Sequence, residues 1–544
     1  MALPEHLLPN PLESGWELNG FFVPIFTVIQ GAVQSPKALP NFDTSAMKIK
    51  SFLARPYAAF IRNRVARESV AETAIGHQEA ILQMLFRKGC HTSFGKDHHL
   101  HQVTSADAYK SAVPLRDYEA MTPYIDAIKA GKENILWPGK PMYLAKTSGT
   151  TSGAKYIPIS KDSIANHIDS ARNALLCYAA NRGNSSFADG RMIFLSGSPV
   201  LERIGGIPTG RLSGIVNHFI PAYLRTNQLP SYETNCIEDW ETKLDRIVAE
   251  TIGQDMRLIS GIPPWMQMYF DWLQERSGKT IKALFPNLQV LVHGGVAFEP
   301  YKKKLFESLG GPIDTVETFP ASEGFFAWQD TLDEEGLLLN THSGIYFEFV
   351  PAGEVFAANP TRLSLSEVKT GENYALIVST NAGLWSYNTG DTVRFVSTDP
   401  YRLLVTGRIK HFISAFGEHV IGEEVESALK SAVERHGGGV IEFTVAPQIT
   451  PADGSLPHHE WWIAFETLPE DLNAFAQTLD EALRKKNIYY DDLLRGGILQ
   501  PLKIQTLPAD AFIRYMRNEG KLGGQNKVPR LSNDRKLADA LGRL

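Results

Sequence analysis

The chain has 544 residues, 43% of them hydrophobic and 21% charged, with a net charge of -6. That balance suits a folded globular enzyme with a sizeable core and excludes a basic nucleic-acid binder. Cys90, Cys177 and Cys236 are too few and too scattered for a disulfide framework or a zinc site, so a reducing cytoplasmic location is expected.

In chain order, residues 1–45 read as an N-terminal extension. Their apolar run Phe21–Val33 contains Pro24, is too short to span a bilayer, and has no basic segment before it, the first lysine being Lys37. Ile81, Leu82, Leu85 and Phe86 then recur at helical spacing and stop at Gly89, which predicts an amphipathic helix. A short apolar stretch, Met142–Ala145, leads into TSGTTSGAK at 147–155.

Glycines let successive backbone N–H groups turn inward on an anion, hydroxyls add donors, and a lysine adds full charge, so this loop suits a polyphosphate. It is not a Walker A loop, because Ala154 stands where the second glycine belongs. A polar surface connection is the alternative reading of the segment alone. Ser160 is the expected N-cap of a helix running through Leu176, giving a strand, glycine loop, helix order that aims amides at a bound phosphate.

Further strands are expected at Met192–Leu195, Leu288–Val292, Val316–Phe319 and Ile345–Val350, separated by helical patterns such as Trp265–Leu273. This is α/β organisation. The tail differs. Ile441, Phe443 and Val445 alternate, as do Trp461, Ile463 and Phe465, and Leu472, Phe475, Leu479 and Leu483 follow helix spacing, predicting a small α+β unit. The boundary falls near Arg408–Lys410, dividing the chain into 1–45, 46–408 and 409–544. No internal repeat or low-complexity tract interrupts it. His98-His99 and His458-His459-Glu460 lack zinc spacing, since neighbours in a strand face opposite ways, and no G-x-S-x-G elbow occurs.

Four segments stand in one order: TSGTTSGAK at 147, FPASEG at 319, NTGD at 388 with GR at 407, and GGQNKVPRL at 523. That order resembles the adenylate-forming superfamily of luciferase-like and acyl-CoA synthetase enzymes. With HGGVAFEPY (293–301), YFEFVP (346–351) and NAGLWSY (381–387), the chain resembles more closely the auxin-responsive (Gretchen Hagen) acyl acid-amido synthetases in a bacterial-looking form, over roughly residues 47–544. The resemblance implies a large N-terminal α/β domain of mixed sheets and helices, followed by a smaller mobile α+β C-terminal domain. It implies a ligase using ATP and Mg²⁺, which adenylates a carboxylic acid and passes the acyl group to an amine, usually an amino acid. It implies neither a nucleic-acid partner nor a membrane span, and it leaves the oligomeric state open.

By the same resemblance, Ser148, Gly149, Thr150, Thr151, Gly153 and Lys155 cradle the β and γ phosphates, and Gly294 and Gly295 admit the adenine edge. Phe319 stacks on adenine, Ser322 donates to the α-phosphate and Glu323 holds Mg²⁺. Asp391 accepts from the ribose hydroxyls, Arg408 reaches the ribose or phosphate, and Lys527 is the mobile lysine of adenylation. Two departures matter. The family usually has Tyr at Phe319, and YRxGD is here Tyr387-Asn388-Thr389-Gly390-Asp391, so that arginine's contact has no counterpart. Lys527 must approach for adenylation and withdraw for amine attack, so residues from about 410 onward are expected to rotate.

The resemblance also implies that residues 195–220 and 259–269 line the acyl pocket, where Trp265, Met266, Met268 and Tyr269 could shape an apolar or aromatic acid site, simple core being the alternative reading of those side chains. Arg203 or Arg211 could hold an acceptor carboxylate, and the sequence does not choose between them. A thioester-forming ligase and a non-catalytic nucleotide-binding protein are the competing readings.

Overall fold

Short runs of β-branched and aromatic residues broken by glycine and proline become strands, and the 3.6-residue apolar repeats become helices. The computed structural model describes residues 45–544 apart from 151–152, 221–224, 296–297, 356, 358, 410–411, 414, 419, 520–527 and 529. Of Ser148, Gly149, Thr150, Gly153, Gly407 and Arg408 it describes the backbone course alone. Lys48–Leu544 form one compact unit.

Among the described residues the body carries β1 (Tyr143–Thr150), β2 (Gly153–Ile159), β3 (Arg191–Phe194), β4 (Glu202–Ile204), β5 (Ile207–Gly210), β6 (Gln228–Leu229), β7 (Met256–Ser260) and β8 (Val290–Gly294). It continues through β9 (Asp314–Ala321), β10 (Gly324–Trp328), β11 (Leu337–Leu339), β12 (Ile345–Pro351), β13 (Asn373–Thr380), β14 (Tyr387–Thr398) and β15 (Tyr401–Arg408). A four-stranded sheet has the order β2-β1-β5-β4, and an eleven-stranded sheet the order β12-β13-β14-β15-β11-β10-β9-β8-β7-β3-β6. In the large sheet, β9, β8, β7, β3 and β6 run parallel, as helical crossovers require, and the other end is antiparallel. The tail adds β16 (Phe412–Ile413), β17 (Val420–Ile421), β18 (Gly439–Gln448), β19 (His458–Thr467) and β20 (Lys503–Leu507), the last three in one small sheet. The fold is therefore mixed α/β, as the sequence patterns predict.

The predicted amphipathic helix is Ala71–Gly89, burying Ala74, Gln78, Ile81, Leu82, Leu85 and Phe86 on one face. Gly89 is required by a close approach, since a Cβ there would lie 2.3 Å from the Trp385 indole. Trp265–Leu273 lies within the helix Pro263–Ser277, entered through prolines that suit a first turn. This helix and Glu299–Leu309 share an apolar core with Phe416, Val420, Trp461 and Tyr490, so body and tail meet through packed side chains.

One local expectation is corrected. The glycine loop does not lead straight into a helix; it is the tip of the antiparallel β1–β2 hairpin, and the following helix is Ile164–Arg182. Ser160 is not its N-cap. Its Oγ accepts from the N–H groups of Asp162 and Ser163 at 3.1 and 3.0 Å and donates to the Asn381 carbonyl at 2.6 Å. That local turn delays the helix to Ile164, and helical geometry then persists beyond Leu176 until Gly183, at φ +63°.

Candidate active site

The hairpin tip combines small residues with an irregular register. Thr147 pairs with Lys155 and Thr150 with Gly153, with a bulge between them that takes in Ser148 and Gly149. A bulge turns backbone groups out of the ladder, as an anion cradle needs. Thr151 lies outside the described residues. Lys155 is half-buried, with its Nζ 5.8 Å from the centre of the Tyr118 ring. The Tyr118 hydroxyl accepts from the Tyr156 N–H at 2.8 Å, and burial pushes this phenol up to about 12.

Ser322 and Glu323 form the two-residue turn of the β9–β10 hairpin, where Ala321 pairs with Gly324. Asn166 braces this turn: its side chain accepts from the Phe325 N–H at 2.7 Å and donates to the Phe325 carbonyl at 3.2 Å. Among the described residues no group of three or more His, Cys, Asp or Glu forms a metal cluster. Glu323 on its own fits Mg²⁺ carried mainly by phosphate oxygens and water. Phe319, 8% exposed, packs edge-to-face on Phe326 with ring centres 5.2 Å apart, leaving little of the ring for stacking.

Gly294 ends β8 beside Thr318, whose carbonyl oxygen would lie 2.2 Å from a Cβ placed there. Close strand packing thus accounts for this glycine. Gly295 follows at φ +80°, a left-handed turn. His293, before them, stacks on Phe298 at 4.1 Å, and burial lowers its pKa to about 4.

NTGD is a bulge within β14. Residues 389–391 oppose Leu376, because Asn388 pairs with Ile377 and Thr392 with Ala375. The Asn388 side chain accepts from the Gly390 N–H at 2.9 Å, Gly390 takes φ +84°, and Thr389 Oγ1 accepts from the Asp391 N–H at 3.1 Å. Asp391, 5% exposed, stands directly opposite Arg408 in the β14–β15 register. The turn reading of this motif is therefore seen in the backbone, and it leaves Asp391 facing Arg408 across the strand pair.

Sequence reasoning missed the segment that links these features. The Arg116 N–H donates to the Ser386 carbonyl at 3.0 Å and the Asn388 N–H donates to the Arg116 carbonyl at 2.7 Å, while Tyr118, two residues on, holds the hairpin. The Arg116 backbone thus runs beside Asn388, the position where the family arginine is absent, while its guanidinium turns to His98 and Phe94. Its Nη2 lies 2.5 Å from His98 Nε2, and its carbon centre lies 5.4 Å from the Phe94 ring. His98 Nδ1 lies 3.0 Å from the Phe94 carbonyl, so Nδ1 carries the proton and Nε2 accepts from the guanidinium. Burial, aided by Arg116, lowers the His98 pKa. The only available signal was Asp117, which caps the helix Tyr118–Lys129 by accepting from the Ala120 N–H.

Lys527 lies outside the described residues. Beyond it, Arg530 is anchored: its carbonyl accepts from the Val445 N–H at 3.0 Å, and its guanidinium lies 4.7 Å from the Phe443 ring and pairs with Glu442. Near the expected boundary, the Tyr301 hydroxyl donates to the Ala415 carbonyl at 3.0 Å. Glu418, fully buried, accepts from the Phe416 N–H and pairs with His459 Nε2 at 2.8 Å. His458 instead approaches Gln500, so the two histidines do face opposite ways.

Of the expected pocket residues, Met266, Met268 and Tyr269 are core side chains, at most 2% exposed, while Trp265 is half-buried. Among the described residues no helix is long and apolar enough to cross a membrane.

This architecture, a large N-terminal part with a smaller C-terminal one, is shared with solved acyl acid amido synthetase and CoA ligase structures. A solved GH3.15 acyl acid amido synthetase superposes with a TM-score of 0.55 at 16% identity, covering 93% of this chain and 97% of that one. More particularly, the chain belongs to the GH3 family: the GH3 N-terminal domain matches residues 66–235, the central domain 338–408 and the C-terminal domain 423–536. Among curated relatives, jasmonoyl-L-amino acid synthetase JAR4 of Nicotiana attenuata is 22% identical over 58% of this chain and 66% of its own length. The probable indole-3-acetic acid-amido synthetase GH3.1 of Arabidopsis thaliana is 22% identical over 87% of this chain and 92% of its own. The chain spans one third to just under two thirds of the length of the first three curated relatives it matches.

Proposed function

We propose that this chain is an ATP-dependent acyl acid-amido synthetase. The observation that carries the reading is the stitching of two motif sites by one short segment. Arg116 is bonded to the strand that bears Asn388–Asp391, and Tyr118 is bonded to the hairpin that bears Lys155. A phosphate cradle and a ribose-binding carboxylate are thereby tied to each other, as a single nucleotide requires.

In the first step a carboxylate oxygen of the acid attacks the α-phosphorus of ATP, the bond to the bridging oxygen breaks, and pyrophosphate leaves. Ser148, Gly149, Thr150, Thr151, Gly153 and Lys155 neutralise the charge that departs. Ser322 donates to the α-phosphate, Asp391 accepts from the ribose hydroxyls, and Arg408 reaches the same nucleotide from the opposite strand. Gly294, Gly295 and the uncovered part of Phe319 bound the base. Mg²⁺, held by Glu323 and the phosphates, supplies charge neutralisation when bound. Lys527 adds positive charge at the α-phosphate. In the second step the amine nitrogen attacks the acyl carbon, the acyl–oxygen bond breaks, AMP leaves, and a proton passes to solvent.

Lys527 serves the first step and obstructs the second, so residues 409–544 rotate between them, about the segment that Tyr301 and Glu418 hold. Unpaired cysteines suit the reducing cytoplasm in which we place the enzyme.

The test is AMP and pyrophosphate release from Mg-ATP across aryl and aliphatic acids, with hydroxylamine as a general acceptor. Release that needs both an acid and Lys527, and is lost in Lys527→Ala, is expected. Saturable ATP binding with no acid-dependent AMP would overturn the reading, and turnover that needs CoA but no amine would replace it with a thioester ligase.

A further inference from the structure

The structure separates the two arginines that the sequence left level. Arg203 lies on the edge strand β4, exposed, with its Nη1 donating to the Gly206 carbonyl at 3.0 Å. Arg211 follows β5, whose Gly210 pairs with Ala145 of β1, and so stands beside the strand that carries the phosphate cradle. The hairpin tip begins two residues further along β1, at Thr147, on the order of 7 Å at strand rise, so Arg211 is set back from the pyrophosphate end.

Arg211 is half-buried in built surroundings. The loop 195–200 is fixed from three sides: Lys243 donates to the Ser196 carbonyl at 3.0 Å, the Gly197 N–H donates to Ser213 Oγ at 3.1 Å, and His218 bonds the Pro199 carbonyl at 2.8 Å. Gly197 leaves the room that the arginine occupies, since a Cβ there would lie 2.8 Å from Arg211 Cδ. The guanidinium carbon lies 5.0 Å from the centre of the Tyr489 ring, on the C-terminal helix Ile488–Arg495. Among the described residues its N–H groups form no hydrogen bond and no ion pair within 4 Å. The charged neighbours that feel it are Lys243, whose pKa burial and then Arg211 lower to about 8, and Asp492, whose carboxyl burial raises against the pull of Arg211.

A guanidinium has two separate capacities: its face stacks on aromatics, and its edge donates in-plane hydrogen bonds that match a carboxylate. Tyr489 engages the face, which orients the group without consuming the edge. Lys243 beside it adds positive potential, and among the described residues no carboxylate pairs with the guanidinium, Asp492 interacting with it only at longer range. We infer that Arg211 is the acceptor-binding residue, that its N–H edge receives the α-carboxylate of an amino-acid acceptor, and that Tyr489 is the positioning residue that aims it. The acceptor class is thus an amine bearing a free carboxylate. The assignment rests on the amido-synthetase reading above.

The experiment compares each of the twenty L-amino acids with the carboxamide of every one that is accepted, in wild type, Arg211→Ala, Arg211→Lys, Tyr489→Leu and Arg203→Ala. Acid-dependent ATP–pyrophosphate exchange is measured alongside. The wild type is expected to prefer the amino acid over its carboxamide at least tenfold. In Arg211→Ala that preference collapses toward unity, through KM for the amino acid, and amide formation falls at least tenfold more than exchange does. Arg211→Lys restores part of the preference, Tyr489→Leu, which removes the ring that aims the guanidinium, loses part of it, and Arg203→Ala retains it. Wild type that shows no exchange sinks the amido-synthetase reading and this assignment with it. Wild type that exchanges but accepts no amino acid, or uses carboxamides equally well, overturns the assignment alone. So does Arg211→Ala that keeps the preference, or that loses exchange and amide formation in parallel.

Discussion

The proposed nucleotide cradle and the proposed acceptor wall meet where β1 pairs with β5 and are built in opposite ways. The cradle is set by backbone turns that present its side chains: a bulged hairpin tip at 147–155, a two-residue turn at Ser322–Glu323 and a strand bulge at Thr389–Asp391. The wall is side chain: Arg211 with Ser213, Lys243 and Tyr489 reach together from three separate stretches of sequence. Backbone sites need glycine and small polar residues in fixed order and therefore leave motifs. Side-chain sites need only the right group at the right place in space and leave none.

The largest expected effect separates the two by rate. Lys155→Ala should lower acid-dependent pyrophosphate exchange by about 10²–10³-fold, the range for losing one fixed stabilising charge or donor. Trp265→Ala, in the expected pocket, should instead raise KM for the acid with exchange at saturation little changed. Steady-state exchange kinetics check both, and a pure KM effect at Lys155 would break the comparison.

Titration separates them by pH. His167 and His293, on the helix and the strand that back the cradle, are buried and neutral, with pKa values lowered by burial to about 4 from 6.5. The unfolded chain binds more protons between those values, so their contribution is full above pH 6.5 and is lost on acidification toward 4, by roughly 3 kcal/mol each. Lys243 on the wall, lowered to about 8 from 10.5, works in another window: stability rises by about 3 kcal/mol from pH 8 to 10.5 and is flat below. Urea unfolding at pH 5, 7 and 10 measures both limbs. His293→Asn should roughly halve the acid limb alone, His167 carrying the rest, and Lys243→Met should flatten the alkaline one.

Glycine substitutions sharpen the contrast at smaller scale. At Gly294 an added Cβ meets the Thr318 carbonyl at 2.2 Å, a backbone atom that cannot swing aside, so Gly294→Ala should cost about 1–3 kcal/mol. At Gly197 the nearest atom is the Arg211 side chain at 2.8 Å. Gly197→Ala should therefore cost less than about 1 kcal/mol in urea unfolding and instead raise KM for the acceptor, because the side chain yields and is misplaced.

The same distinction explains what the sequence made legible. Every apolar run from Met192–Leu195 to Trp461–Phe465 became a strand, because burial on pleated faces is written locally in residue type. The helix after the cradle was misjudged at its start because Ser160 spends its hydroxyl on Asp162, Ser163 and Asn381, and Asn381 lies 221 residues away. Arg116 and Tyr118 escaped notice because their roles exist only once β14 and β2 are brought to them. Arg203 and Arg211 look alike in sequence, and only Tyr489, 278 residues beyond Arg211, tells them apart.

The smallest expected effect falls where backbone and side chain meet. β2 is an edge strand of its sheet, so its outward N–H groups have no ladder partner. The Tyr118 hydroxyl receives the one from Tyr156 at 2.8 Å, and the same ring lies 5.8 Å from the Lys155 ammonium. Tyr118→Phe keeps the ring and removes only the acceptor. It should cost about 1 kcal/mol in urea unfolding, the net worth of one hydrogen bond, and raise KM for ATP severalfold while leaving KM for acid and acceptor in place. Tyr118→Leu also removes the π face beside the half-buried Lys155 and should add about 0.5–1 kcal/mol from that contact. A shift in acceptor KM equal to the shift for ATP would mean that the hairpin and the wall move as one body, and the division between backbone-built cradle and side-chain-built wall would fail.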